Sequence, residues 1–352
     1  MQGDQLAAFG WRARLLTGRG WSGDQPSICK CPGACSGNNF CCHAQSLVPG
    51  RLLREIINLN KIILLLLLAV NAFAQHALVI QTDFGTKDGA VAAMKGVAFG
   101  VDPHLAIFDL SQENTPYDIW EAAYRLKQSA TYWPAGTVFI SVVDPGVGTE
   151  RASIVLQTKS GHFFVGPDNG TWTLVAEELG VAAVRRIDEK TNRRAGSEKS
   201  YTFHGRDIYA YTGARLASGK ITFEQVGPLL EPKVISLPYE RAALAGSALK
   251  GTIPMIDFHY GNVWTNIPDT LFNELKPAFG EKFLVVIFHD GQETYRGVMP
   301  YARTFGEVAE GAPLLYLNSL LNVGFALNRG SFSAKHGLAS GGNWTVRIER
   351  AP

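Results

Sequence analysis

Hydrophobic and polar positions divide the chain into zones of different period. Residues 1–50 carry no apolar repeat that would bury a helix stripe or a strand face. Arg51, Arg54 and Lys61 then precede an apolar run from Ile62 to Val70, closed by Ala72-Phe73-Ala74. From residue 77 onward, short β-rich runs alternate with helical spacing. Residues 77–82, 105–110 and 137–143 read as strands, the third near-continuously apolar, as a parallel strand buried on both faces should be. Between them Val91, Met94, Val97 and Ala98 share one helix face. A second helix runs through Ile119, Ala122, Ala123, Leu126, Ala130 and Trp133 and ends at Pro134-Ala135-Gly136. This alternation predicts an α/β layer on a mainly parallel sheet.

The texture changes after about residue 230. Residues 231–247 read as a linker, and short strands are predicted at 249–256, 283–288, 314–317 and 344–348, separated by Gly/Asn/Pro turns. The expected organisation is an unstructured or wrongly assigned leader (1–50), a signal peptide (51–74), an N-terminal α/β domain (75–235) and a smaller β-rich, barrel-like C-terminal domain (246–352).

Composition sharpens the first and last of these zones. All five cysteines precede residue 43, and their spacings match no paired Cys-x-x-Cys site, so no metal is expected. The basic segment, short apolar run and Ala-x-Ala order describe a secretory signal peptide cleaved before Gln75. Export to a periplasmic or extracellular space follows if it is cleaved, and membrane anchoring if it is not. The run falls short of the roughly 20 apolar residues of a spanning helix, so no stable membrane span is expected. A signal peptide belongs at the start of a chain, which predicts a true start codon downstream of Met1. The net charge of +2 across 352 residues, without a Lys/Arg block, argues against nucleic acid as a partner.

Functional residues in open α/β sheets gather in loops beyond the carboxyl ends of strands. Three loops stand out: Thr82-Asp83-Phe84-Gly85 with Asp88, Asp144-Pro145-Gly146-Val147-Gly148-Thr149 with Arg151, and Gly166-Pro167-Asp168-Asn169-Gly170. Each alone reads as a turn. Asp-Phe-Gly sits at the first strand without the other kinase motifs, and no G-x-G-x-x-G follows that strand, so neither a kinase nor a dinucleotide site is indicated.

Taken in order with Phe203-His204-Gly205-Arg206-Asp207, Asp257…Gly261-Asn262 and Asn318-Ser319, these motifs are more specific. Together they resemble the S-adenosylmethionine hydroxide adenosyltransferases and their fluorinase and chlorinase relatives, from about residue 77 to the C-terminus. The resemblance implies hydrolysis of S-adenosyl-L-methionine to adenosine and methionine, without a further cofactor, by water attacking the ribose C5′. It implies Asp144, Arg151 and His204 as the water-activating set, with His204 oriented by Asp144. Asp83 would hold the ribose hydroxyls, Asp88 close behind it would also bind substrate, Asp257 would bind the methionine ammonium, Asn262 an adenine edge and Ser319 the methionine carboxylate. It also implies a homotrimer with sites at subunit interfaces. Arg206 and Asp207 read equally as a structural ion pair and stay outside the catalytic set. Tyr260 replaces a usual Phe, and Leu320-Leu321 follow Asn318-Ser319 where the family carries a Gly. Two alternatives remain: a halide-using adenosyltransferase, and a non-catalytic periplasmic nucleoside-binding protein.

Overall fold

The computed structural model describes residues 76–352, so the leader and signal-peptide expectations lie outside the described residues. Strand β1 (Leu78–Thr82) leads into helix α1 (Ala90–Val101), β2 (Ile107–Ser111), α2 (Ile119–Ala130) and β3 (Val138–Val142). All five residues of β1 and of β3 are buried, including the polar Gln81, Thr82 and Ser141, as central strands covered on both faces should be. The chain then adds β4 (Ser153–Thr158), β5 (Phe163–Pro167), α3 (Thr173–Leu179), β6 (Val181–Arg186), a π-helical turn (Gly205–Ala210), α4 (Tyr211–Ala217) and β7 (Leu229–Leu230). One sheet results, ordered β2-β1-β3-β5-β4-β6-β7. Its β2-β1-β3-β5 side is parallel, as expected, and β4, β6 and β7 add an antiparallel flank.

Sequence periodicity had no way to show that flank. The turn between β4 and β5 is short, and Thr158 bonds the His162 carbonyl through both its amide and its hydroxyl. That closes a hairpin rather than a crossover, and a hairpin can only pair antiparallel.

The remaining strands are β8 (Ala243–Ala245), β9 (Ala248–Ile253), β10 (Met255–Ile256), β11 (Val263–Pro268), β12 (Lys282–His289), β13 (Gln292–Pro300), β14 (Pro313–Leu317), β15 (Asn322–Leu327) and β16 (Gly341–Arg350). They form two antiparallel sheets, β13-β12-β16-β9-β8 and β10-β11-β15-β14, over one shared core that includes Leu249, Phe272, Phe283, Phe325 and Ile348. The segment read as a linker is strapped to the turn after β5 and to the first residue of α3. Ile235 N–H donates to Asp168 Oδ1 at 2.9 Å and Leu237 N–H to Thr173 Oγ1 at 2.9 Å. Trp120 Nε1–H reaches the Pro254 carbonyl at 3.0 Å, tying α2 to the β-rich part. Among the described residues no helix is long and apolar enough to cross a membrane.

Candidate active site

From β1 the chain crosses to β2 on one side and then returns to β3 on the other. The strand order therefore reverses between β1 and β3, and the crevice at their carboxyl ends is where a ligand fits in such a sheet. Thr82 pairs with Val142 in register, so Asp83, one residue on, and Asp144, two residues on, emerge side by side. Because β4 runs antiparallel to β5, with Ser153 opposite Pro167, Arg151 returns to the same end. Gly148 sits at φ +78 in the connecting loop, a conformation in which a side chain would be strained. A concavity of about 240 Å³ opens there, lined by Asp83, Phe84, Tyr117, Asp144, Phe203 and His204 among others.

Arg151 is the hub of this site. Its Nε donates to Asp144 Oδ1 at 2.8 Å, its Nη2 to Asp144 Oδ2, and its Nη1 to Ser153 Oγ at 3.0 Å. Nη2 also lies 3.2 Å from His204 Nδ1. A guanidinium only donates, so Nδ1 is the acceptor and the neutral ring carries its proton on Nε2. His204 Nε2 is buried and has no hydrogen-bond partner among the protein atoms. His204 is thus oriented by Arg151, with Asp144 acting through it, and not by Asp144 directly.

The side chains of Arg151 and Asp144 are only 10% and 4% exposed, so their attraction is little screened by water. Burial, and next the Arg151 cation, hold His204 below its ordinary pKa of 6.5. Burial works against the Arg151 charge, but the bond to Asp144 together with electrostatic attraction to Tyr209, Asp144 and Glu189 outweighs it and leaves the guanidinium more strongly protonated than usual.

Two further residues belong to the set. Tyr209 meets His204 edge-on, with ring centroids 6.4 Å apart, and its ring lies 5.7 Å from the Arg151 guanidinium. Its hydroxyl is 3.0 Å from Ser153 Oγ, which closes the chain of contacts. Burial pushes that hydroxyl's pKa upward, keeping it a neutral donor. Neither residue was picked out by motif. The available signal was their spacing: Ser153 lies two residues after Arg151, and Tyr209 lies in the π-helical turn that begins after His204. Such turns recur at functional sites.

The other candidate residues are placed as follows. Asp83 Oδ2 accepts the Tyr117 backbone N–H at 2.9 Å, with Tyr117 held at φ 67. Asp88 accepts the Ala90 N–H at 2.8 Å in the exposed turn just before α1, and it does not line the concavity. Asp257 Oδ1 receives the His259 and Tyr260 amides at 3.2 and 3.3 Å in an exposed turn. Asn262 lines a separate concavity of about 530 Å³ with Tyr260, Phe305 and Ser331. Ser319 lines a third, of about 520 Å³, with Lys127, Tyr132 and Glu178. One chain therefore brings together Asp83, Asp144, Arg151 and His204, and leaves Asp88, Asp257, Asn262 and Ser319 apart from them. Among the described residues, no three His, Cys, Asp or Glu side chains are grouped to hold a metal ion.

Known proteins place this geometry in context. The family model for the SAM hydroxide adenosyltransferase N-terminal domain matches residues 78–227, and that for the C-terminal domain matches residues 251–345. The (R)-S-adenosyl-L-methionine hydrolase of Methanocaldococcus jannaschii is 45% identical over 141 residues, 39% of this chain and 51% of that protein, so the aligned part spans about half its length. The enzyme of the same name from Salinispora tropica is 35% identical over 263 residues, 74% of this chain and 93% of its own. A fluorinase of Actinoplanes is 27% identical over 295 residues, 77% of this chain and 96% of its own. A crystal structure of an uncharacterized conserved protein from Thermotoga maritima superposes with a TM-score of 0.71 at 34% identity, covering 78% of this chain and all of that one.

Proposed function

The chain belongs to the SAM hydroxide adenosyltransferase family, and on that premise we propose that it hydrolyses S-adenosyl-L-methionine to adenosine and L-methionine. The observation that carries this reading is the contiguous Asp144–Arg151–His204 set on the wall of a concavity that also holds Asp83. In the reaction a water oxygen bonds to C5′ as the C5′–sulfur bond breaks. The bond's electron pair stays on sulfur, which turns the cationic sulfonium into the neutral thioether of methionine. The leaving group needs no proton, so catalysis reduces to orienting the water and removing one proton.

Orientation of a bound nucleophile contributes about 7–11 kcal/mol in favourable cases. His204 in the Nε2–H form suits the orienting role, because it donates and cannot accept there. Asp144 keeps acceptor sites beyond the two that Arg151 occupies, and is the group we assign to take the proton. Asp83 would accept from the ribose hydroxyls.

The concavity in one chain, about 240 Å³, is smaller than the roughly 300–1,000 Å³ usual for ligand pockets. The turn between Asp257 and Asn262 exposes Phe258 and Tyr260 by 83% and 70%, an apolar surface suited to a protein partner. Both facts support a homotrimer in which Asp257, Asn262 and Ser319 of one copy complete the Asp83 crevice of the next. Export with cleavage before Gln75 is a further part of the reading, resting on the order of charged, apolar and small residues in 51–74.

The test is to incubate the purified chain with S-adenosyl-L-methionine and follow adenosine and methionine by chromatography, with His204→Ala and Asp144→Asn alongside. Formation of both products, largely lost in each variant, is expected. Binding without turnover would overturn the proposal in favour of a nucleoside-binding protein. Turnover that needs chloride or fluoride and yields a halogenated nucleoside would overturn it in favour of a halide-using transferase.

A further inference from the structure

On the α1 and α4 side of the first sheet lies a further concavity, of about 630 Å³, that shares no lining residue with the catalytic one. Four cations line it: Arg194, Arg206, Arg215 and Lys220. Two of them, Arg206 and Arg194, meet the carboxylate of Asp207, which is fully buried and so is not itself available to a ligand. Arg206 grips it with Nε and Nη2 at 2.7 and 2.8 Å, and Arg194 adds Nε at 3.3 Å. Burial pushes Asp207 upward in pKa, yet the two arginines outweigh that and keep it ionised. Arg206 also rests over the Phe203 ring at 4.8 Å, which fixes it in place and leaves its Nη1 unbonded.

Arg215 is held similarly. Nη1 donates to the Thr191 carbonyl and Asn192 Oδ1 at 2.9 and 2.7 Å, and its guanidinium lies 5.1 Å from the Tyr211 ring centroid. Lys220 donates to the Val101 carbonyl at the end of α1, which leaves two ammonium hydrogens for another acceptor. The opposite wall is α1, where Gly96 and Gly100 stand one turn apart on the cavity side. A Cβ added at either would meet nothing within 4 Å. Glycine weakens a helix relative to alanine, so two of them on the face that borders the cations keep the space open at a cost to the helix.

We propose that this concavity binds a phosphate-bearing small molecule. Arginine forks and an ammonium on fixed stems are the groups that recognise phosphate oxygens. The volume fits a ligand of metabolite size. The bare helix face accommodates the body of the molecule beside its anionic end. A chain whose overall charge is only +2 gathers four cations on this one concavity, and of them Arg194 and Arg206 pair with a carboxylate, so the charge is a local feature.

Calorimetric titration of the full chain with inorganic pyrophosphate tests this. Saturable binding at one site per chain is expected, weakened roughly tenfold or more in the Arg215→Gln/Lys220→Met double variant. Gly96→Leu, which fills the space without changing charge and favours the helix, should weaken it similarly while leaving the melting temperature intact. Lys250→Gln, a remote loss of charge, should change nothing. Absence of saturable binding would overturn the site, as would equal weakening in Lys250→Gln. Association with phosphatidylglycerol vesicles but not with free pyrophosphate would overturn it too, because the surface would then be a lipid-facing patch.

Discussion

Arg151 determines what His204 can do. A histidine bonded through Nδ1 to a carboxylate presents a basic Nε2, whereas one bonded to a guanidinium presents Nε2–H. The two arrangements predict opposite roles, and the resemblance implied the first, with Asp144 as the carboxylate. Burial and the arginine depress the His204 pKa below 6.5, so the ring is neutral at pH 7. The acid limb of kcat/KM is therefore expected below pH 6.5 and should disappear in His204→Asn, which keeps a donor in place. If His204 were instead the base, His204→Asn would lose about the same 10²-fold or more as His204→Ala. Stability carries the same sign. A depressed pKa means the unfolded chain binds the proton more tightly, so this contribution is present above pH 6.5 and lost as pH falls toward the lowered value. Urea titrations of wild type and His204→Asn at pH 7.5 and 5.5 should show the wild type losing more of its stability on acidification.

At the level of elements, the loops were legible because turn residues and carboxylates cluster after apolar runs, and that pattern is local. Which loops meet was not legible. Asp83 and Asp144 are neighbours because β1 and β3 pair, and Arg151 joins them only because β4 folds back on β5 as a hairpin. Pairing of this kind depends on contacts between segments distant in sequence, which periodicity does not encode. The Pro-Asp-Asn-Gly turn shows the same limit. It reads as a structural turn, and structurally it is one, yet Asn169 Nδ2 donates to the Val143 carbonyl at 2.9 Å, one residue before Asp144. Its Oδ1 meanwhile accepts from Thr171 Oγ1 at 2.7 Å. Asn169 thus links the turn after β5 to the loop after β3. Asn169→Ala should cost about 1–3 kcal/mol in denaturant unfolding. It should also lower kcat more than it raises KM, since it loosens the position of Asp144 rather than the substrate contacts. A purely structural role would reduce stability and leave kcat unchanged.

Across the whole molecule, the separation of the candidate residues is the informative fact. Within one chain Asp144 and His204 line one concavity and Asn262 another, with the exposed rings of Phe258 and Tyr260 beside the second. If each site is completed by a neighbouring copy, two inactive variants can repair one another. Asp144→Asn spoils the crevice but leaves an intact Asn262, and Asn262→Ala does the reverse. Co-expressed at equal levels and assembled at random into closed rings, they should recover about a quarter of wild-type activity, because one interface in four then pairs two intact halves. Mixed after separate purification under conditions that prevent exchange, they should recover nothing. Activity that stays at the level of the single variants on co-expression would overturn the shared site, and an Asn262→Ala variant that is active by itself would place Asn262 outside the site. Light scattering adds an independent check, since a monomeric wild type that turns over substrate excludes the shared site directly.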